Sequence, residues 1–418
     1  VVYTWPKGLV TPPPPPARDN EKAQGGIAAA TFALISGWFW YAWKKWGKDP
    51  DKKTVIPIFY APDGASPAFL RYVRDMRLDQ TGFTAAIIGL AVKGAIKIVE
   101  VEGRDTFFGK GKGHFVLHEK ETEPEKLQPE EEALMMQLFP GSIDRVALVQ
   151  DNGGTISGAM RSLARNLRNT NSAIFTRNTD KMVPGLALYG LGIAASYPFS
   201  GEYPLNTMLA GVCGLLIIAL GMRLSKAANT GGQNIKQFLG RAFPALAVGL
   251  VGAIALGGEG LSPFTFVFFI ASAAIIAVMR PLMVSRTQKG SNILSEAEGL
   301  KLYMDTAEKE RLEMFNPPEE TPELFEKLLP YALALDVAKT WGNRFESVLT
   351  KASYKPEWYS GPSPYLFLNG SGLNNFSSSL GSSLGQSMAP QSAPGTSSGM
   401  GGGGFAGGGG GGGGAKGW

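Results

Sequence analysis

The sequence predicts a multi-pass α-helical membrane protein of about five spans, with a cytoplasmic α+β winged-helix-like domain and a disordered Gly/Ser-rich tail. Three observations carry that expectation. Of 418 residues only 18% are charged and 44% are apolar, against roughly a quarter charged in a soluble domain. Several uncharged apolar runs approach or exceed the length needed to cross a hydrocarbon core. Between the first and second of these runs, helix, helix and hairpin signals follow one another, which is the order of a winged helix.

Composition also excludes. A single cysteine, Cys213, leaves no internal disulfide framework and no CxxC pair. The two histidines, His114 and His118, make histidine chemistry scarce. A net charge of +5 is too small to argue for nucleic acid by itself.

Residues 1–24 read as the end of an extracytoplasmic domain, Val1 to Trp5, followed by a proline stalk from Pro12 to Pro16. Residues 25–46 form a first span closed by Trp38, Trp40, Tyr41, Trp43 and Trp46, an interfacial belt. Residues 182–283 hold four more, near Met182 to Ser200, Leu205 to Met222, Ala242 to Gly257 and Leu261 to Met279. Lys44, Lys45 and Lys48 follow the first span, and Arg280, Arg286 and Lys289 follow the last. Arg223, Lys226, Lys236 and Arg241 lie between the third and fourth. Positive loops face the cytoplasm, so the N-terminus is expected outside a prokaryotic plasma membrane and the C-terminus inside.

Residues 47–181 carry the cytoplasmic domain. Ser66-Pro67 is an N-cap with proline at the first helical position. Phe83 to Lys93 is a second, apolar helix that Gly94 ends. Ile96 to Val101 and His114 to His118 form the hairpin. A helix from Pro129, an apolar run from Arg145 to Val149 and a helix from Thr155 to Asn169 complete it. In residues 284–359, Ser295 and Glu298 fit a capping box opening a helix to Phe315, and Thr321-Pro322 opens another that continues past Pro330 to Phe345. Residues 360–418 are too rich in Gly and Ser to bury a core.

Certain strings resemble a known family. They are Tyr60 to Ala68, Thr84 to Ile98, Glu298-Gly299-Leu300, Thr306-Ala307-Glu308-Lys309, Leu329-Pro330-Tyr331-Ala332-Leu333-Ala334-Leu335 and the glycine tail ending in Trp418. Together they look like the predicted membrane proteins of domain of unknown function 2207. The resemblance implies a membrane protein with an upstream extracytoplasmic β-rich domain, and supplies no catalytic residues.

Chemistry-bearing patterns are sparse. The turn Gly109-Lys110-Gly111-Lys112-Gly113 lacks the glycine spacing and the Ser or Thr of a phosphate loop. His114 and His118 share a strand face without further metal ligands at suitable spacing. No catalytic, cofactor or metal residues are therefore assigned. Arg161, Arg165 and Arg168 line one helical stripe suited to anionic lipid or a protein partner, and Trp418 is a candidate anchor on the tail. The second domain helix offers no base-reading side chains, which disfavours nucleic acid. The expected function is a non-enzymatic scaffold or signal-coupling protein, bound to the bilayer and to a protein partner, with a homo-oligomer compatible. A membrane-tethered nucleic-acid regulator and a passive channel or lipid-handling protein are the alternatives.

Overall fold

A computed structural model describes residues 18–51, 53–62, 64–103, 105–106, 109–110, 113–121, 124–199, 208, 211–219, 221, 263–306, 317–362 and 364–389. In chain order these form α1 (Arg18–Ala42), α2 (Pro67–Asp75), α3 (Gln80–Val92), β1 (Ile96–Val101), β2 (Asp105–Thr106), β3 (Gly109–Lys110) and β4 (His114–Glu119). Next come α4 (Pro129–Leu138), β5 (Arg145–Ala147), α5 (Gly153–Thr170), β6 (Phe175–Thr176) and α6 (Met182–Ser196). The remainder is α7 (Pro263–Leu282), β7 (Ser285–Arg286), α8 (Gln288–Asp305), α9 (Pro322–Ala334), α10 (Ala338–Lys351), β8 (Tyr359–Ser360) and α11 (Gly370–Ser387).

Three stretches are helical, long and apolar enough to cross a membrane: Lys22–Gly47, Thr179–Phe199 and Phe264–Leu282. They correspond to α1, α6 and α7, so three of the five expected spans are found among the described residues. Of the expected run from Leu205 to Met222, residues 211–219 are helical, and Ile218 is buried in one apolar cluster with residues of α1, α6 and α7. The run from Ala242 to Gly257 lies outside the described residues.

The block is sealed by Ile35 and Phe39 of α1 against Tyr189 of α6 and Phe269 and Ile276 of α7. Lipid tails are as apolar as these side chains, so close fit rather than water exclusion must hold such helices together. Gly185 and Gly192, two turns apart on α6, supply the fit. A Cβ at Gly185 would lie 2.5 Å from the Phe39 ring, and one at Gly192 would lie 2.4 Å from the Thr31 hydroxyl. Gly190, on another face, meets nothing within 4 Å.

The second body is a folded domain with one core, built jointly from residues of 65–174 and of 294–384. At its centre is α3, buried from Gly82 to Ala91. Asp79 caps its start by accepting from the Gly82 N–H at 2.8 Å, and Gly94, at φ +78°, ends the turn that follows. Ser66 caps α2 as expected, accepting from Phe69 N–H at 3.2 Å. The hairpin pairs β1 with β4 antiparallel, Ile96 opposite Glu119 and Val101 opposite His114. Both histidines are half-buried, on the face opposite Phe115 and Leu117.

The winged-helix expectation needs correction. Helix, helix and hairpin occur in that order, but the unit is not closed within residues 47–181. Its sheet has the order β5-β4-β1-β8, and β8 comes from far downstream to run parallel to β1, Ile98 opposite Tyr359. An exposed edge on β1 would leave backbone groups unpaired, and β8 covers it.

Three further expectations are corrected. The first concerns Ser295, which lies inside α8 with its hydroxyl bonded back to the Ser291 carbonyl at 3.0 Å. The cap is Thr287, which accepts from Gly290 N–H. In the second, the helix from Thr321 stops at Ala334 instead of reaching Phe345. Asp336 adopts φ +60° and turns the chain into α10. The third is the expected disorder from residue 360, since Gly370–Ser387 is helix α11 with Leu373, Phe376, Leu380 and Leu384 buried. Each such side chain contributes roughly 1.5–3 kcal/mol, against about 1 kcal/mol lost for an interior glycine such as Gly381 or Gly385. The anchors win.

An ion cluster fixes the break at Asp336. Arg71 of α2 pairs with Asp79 at 2.6 Å, Asp336 at 2.6 Å and Asp75 at 3.0 Å, and also donates to the Ala334 carbonyl at 3.0 Å. Arg74 reaches the other Asp336 oxygen at 2.6 Å. Partial burial pushes the Asp336 carboxyl up, but hydrogen bonds and charge from Arg71 and Arg74 outweigh it and hold the group below its ordinary value.

Phe376 packs edge-on against Phe115 at 6.0 Å and Phe367 at 4.9 Å, so Phe376→Ala is expected to cost about 3–5 kcal/mol. A lowered unfolding midpoint in detergent checks this, and an unchanged midpoint would contradict the placement of α11. For Asp336 the folded pKa is depressed, so its stabilisation is complete above the unfolded value near ~3.9 and fades as pH falls through the folded value. A thermal scan between neutral and strongly acid pH should show a flatter acid limb for Asp336→Asn than for the native chain.

Candidate functional site

The three apolar helices and the domain meet at one junction, and every helix end there is tied by a named side chain. After α1 the chain winds into a wide π-helical turn, Trp43–Gly47. Asn178, at φ +45°, stands just before α6; asparagine tolerates that left-handed conformation better than most residues. Its side-chain amide donates to the Trp46 carbonyl at 2.8 Å and to the Met283 carbonyl at 3.0 Å. One side chain thus joins the exit of α1, the approach to α6 and the exit of α7. Ser285 donates to the same Trp46 carbonyl at 2.9 Å, and Trp38 Nε1 donates to the Lys181 carbonyl at 3.0 Å.

Arg286 carries the junction into the domain. Its backbone N–H donates to Asp49 Oδ1 at 2.7 Å, and its guanidinium pairs with the same carboxylate. It also donates to the Val73 carbonyl at 3.0 Å and to the Arg74 carbonyl. These are C-terminal carbonyls of α2, where a cation both fills empty acceptors and complements the helix dipole. β6 and β7 pair alongside, Phe175 opposite Arg286.

Around the junction runs a collar of lysines over aromatic rings. Lys45 Nζ lies 4.9 Å from the Trp46 ring centre, Lys181 Nζ 4.9 Å from the same ring, and Lys44 Nζ 5.3 Å from Trp40. Trp40 is 62% exposed. Cation over ring with an outward aromatic is the pattern of a membrane–water interface.

Beside the junction opens a cleft of about 730 Å³, with Tyr72, Arg168, Asn169, Asn171, Ser172 and Arg177 among its lining residues. Burial pushes the Tyr72 hydroxyl up, while the charges of Arg177 and Arg168 act the other way. The expected arginine stripe is present: Arg161, Arg165 and Arg168 are exposed on α5, opposite buried Leu163 and Leu167. Only Arg168 of the three lines the cleft. Arg177 was not singled out from sequence, and its signal is a basic residue in the short link between α5 and a span. Trp418 and Lys112 lie outside the described residues.

Two buried carboxylates at the start of α4 were also not foreseen. Glu130 accepts from Ser66 Oγ at 2.6 Å, and burial pushes its carboxyl up. Glu131 accepts from Lys93 Nζ at 2.5 Å and from Gln128 N–H at 2.8 Å. Both are engaged in holding α4 to α2 and α3. Among the described residues no cluster of three or more metal-ligating side chains forms.

The three apolar helices agree with comparison to known families. Residues 56–345 match the C-terminal domain of a predicted membrane protein family, DUF2207. The chain belongs to that family. No curated protein and no solved structure matches it. The matched region runs from ahead of α2 through α6 and α7 into α10, so this DUF2207 member carries the α2, α6 and α7 sides of the junction inside the match, while Trp46, Asp49, β8 and α11 lie outside it.

The clamp generates a prediction. Asn178→Gly keeps the left-handed backbone accessible but removes the side-chain bonds to Trp46, Met283 and Ser285, and is expected to cost about 1–3 kcal/mol. Thermal unfolding of the purified protein measures it, and hydrogen exchange should quicken first at the Trp43–Gly47 turn.

Proposed function

We propose that this DUF2207 protein is a non-enzymatic scaffold or signal-coupling protein of the plasma membrane, with its folded domain in the cytoplasm and a protein as its partner. The observation that carries the reading is the junction. Asn178 and Arg286 bind the ends of three apolar helices to α2, and Arg71 binds α2 to α3 and to the Asp336 turn. A displacement of the helices is therefore transmitted to the domain through hydrogen bonds and ion pairs, not through a slack linker.

The positive residues at the junction favour the cytoplasmic side for the domain. Burial of α3 favours a protein partner over nucleic acid, because a helix covered on all sides cannot enter a groove. The exposed arginines Arg161 and Arg165 on α5 offer a face for docking.

Purification of the intact protein in native-lipid nanodiscs, with mass spectrometry of whatever accompanies it, tests the proposal. A near-stoichiometric protein is expected, reduced at least tenfold by Arg161→Glu/Arg165→Glu. Nucleic acid alone, or no partner under conditions that keep the complex together, would overturn it.

A further inference from the structure

We propose that the cleft between α2, the end of α5 and the approach to α6 holds the phosphoryl group of an anionic phospholipid, with Arg168 and Arg177 as its cations. The inference rests on the membrane placement of the three-helix block and is independent of the protein-partner reading.

Charge is the first argument. Other arginines of this region are used internally: Arg71 and Arg74 on aspartates, Arg286 on Asp49 and the end of α2. Arg168 and Arg177 have no ion pair among the described residues and are exposed. Both lie close enough to act on the Tyr72 hydroxyl, so two like charges converge on one cleft. None of its lining residues is acidic. Two uncompensated guanidiniums facing a common space form a site for an anion with several oxygens, which arginine binds through paired N–H donors.

Neutral donors and apolar walls define the ligand further. Asn169, Asn171 and Ser172 line the cleft with side chains able to donate to phosphate oxygens, while Leu78, Phe175 and Val284 give it an apolar wall. A purely ionic surface patch would lack that wall. A phospholipid has both halves, a charged head and a glycerol-ester shoulder. At about 730 Å³ the space suits a small organic ligand.

Position selects lipid over a soluble phosphate. Val284 follows the last turn of α7, and Arg177 stands just ahead of the α6 span. The cleft therefore opens where headgroups lie, beside the Trp46 and Lys181 collar. Arg168 also complements the dipole at the end of α5, but Arg177 is on no helix and has no such role.

Native mass spectrometry of the intact protein released from phosphatidylcholine nanodiscs containing phosphatidylglycerol tests the assignment. Selective retention of phosphatidylglycerol is expected, falling about fivefold for each arginine removed in Arg168→Gln, Arg177→Gln and the double variant. Arg161→Gln/Arg165→Gln, on the same helix but outside the cleft, should retain it as the native chain does. Should the double variant melt early, Arg177→Gln alone decides, because it removes no helix-end charge. Equal retention by native and cleft variants would overturn the proposal, as would an equal loss in the Arg161 and Arg165 control. Titration of detergent-solubilised protein with inorganic phosphate separates the sources. Arginine-dependent phosphate binding without phosphatidylglycerol selectivity would assign the cleft to a soluble anion and overturn the lipid.

Discussion

Helix ends that emerge together from an apolar environment carry carbonyls that must find donors, and this requirement governs the junction. The turn after α1 and the residue that follows α7 present the Trp46 and Met283 carbonyls to one donor, the Asn178 amide. The end of α2 has the same need and is served by Arg286. Satisfying backbone groups is a stricter demand here than packing, because an unmatched carbonyl near hydrocarbon costs several kcal/mol, whereas the apolar contacts tolerate exchange.

The solution determines much else. With Arg286 on its C-terminus, α2 cannot swing away from the helix block, and Arg71 on the same helix fixes α3 through Asp79 and the α9–α10 turn through Asp336. Arg71 is largely buried, with its side chain 8% exposed. Buried ion pairs seldom add net stability, but breaking one leaves a stranded charge. The cluster is accordingly better understood as specifying where the turn and helices go than as a source of strength.

Local signals in the sequence identified much of the domain. Ser66-Pro67, Thr321-Pro322 and Gly94 did what their chemistry dictates, and the alternation from Ile96 to Val101 paired with His114 to His118 as read. What failed was non-local. Nothing near Asp336 marks a helix end; the turn is held by arginines from α2, distant in sequence. Ser295 resembled a cap, but Thr287, a few residues nearer the span, held the better geometry. For α11, composition concealed periodicity. Leu373, Phe376, Leu380 and Leu384 recur at helical spacing, and glycine and serine between them obscured an amphipathic face. At the candidate site the stripe on α5 was legible, whereas the meeting of Arg168 with Arg177 depends on the fold of the link between them.

The strand β8 and helix α11 bear on how the protein is made. Chains are synthesised from the N-terminus and domains tend to fold as units. Here residues 65–174 emerge before the α6 and α7 spans, and their complement, 294–384, emerges after them. The apolar α3 and the open edge of β1 must therefore wait, uncovered, while helices are being inserted into the bilayer. Biogenesis of this domain is bound to the timing of membrane insertion, and a ribosome that stalls after α7 leaves half a core exposed at the membrane surface.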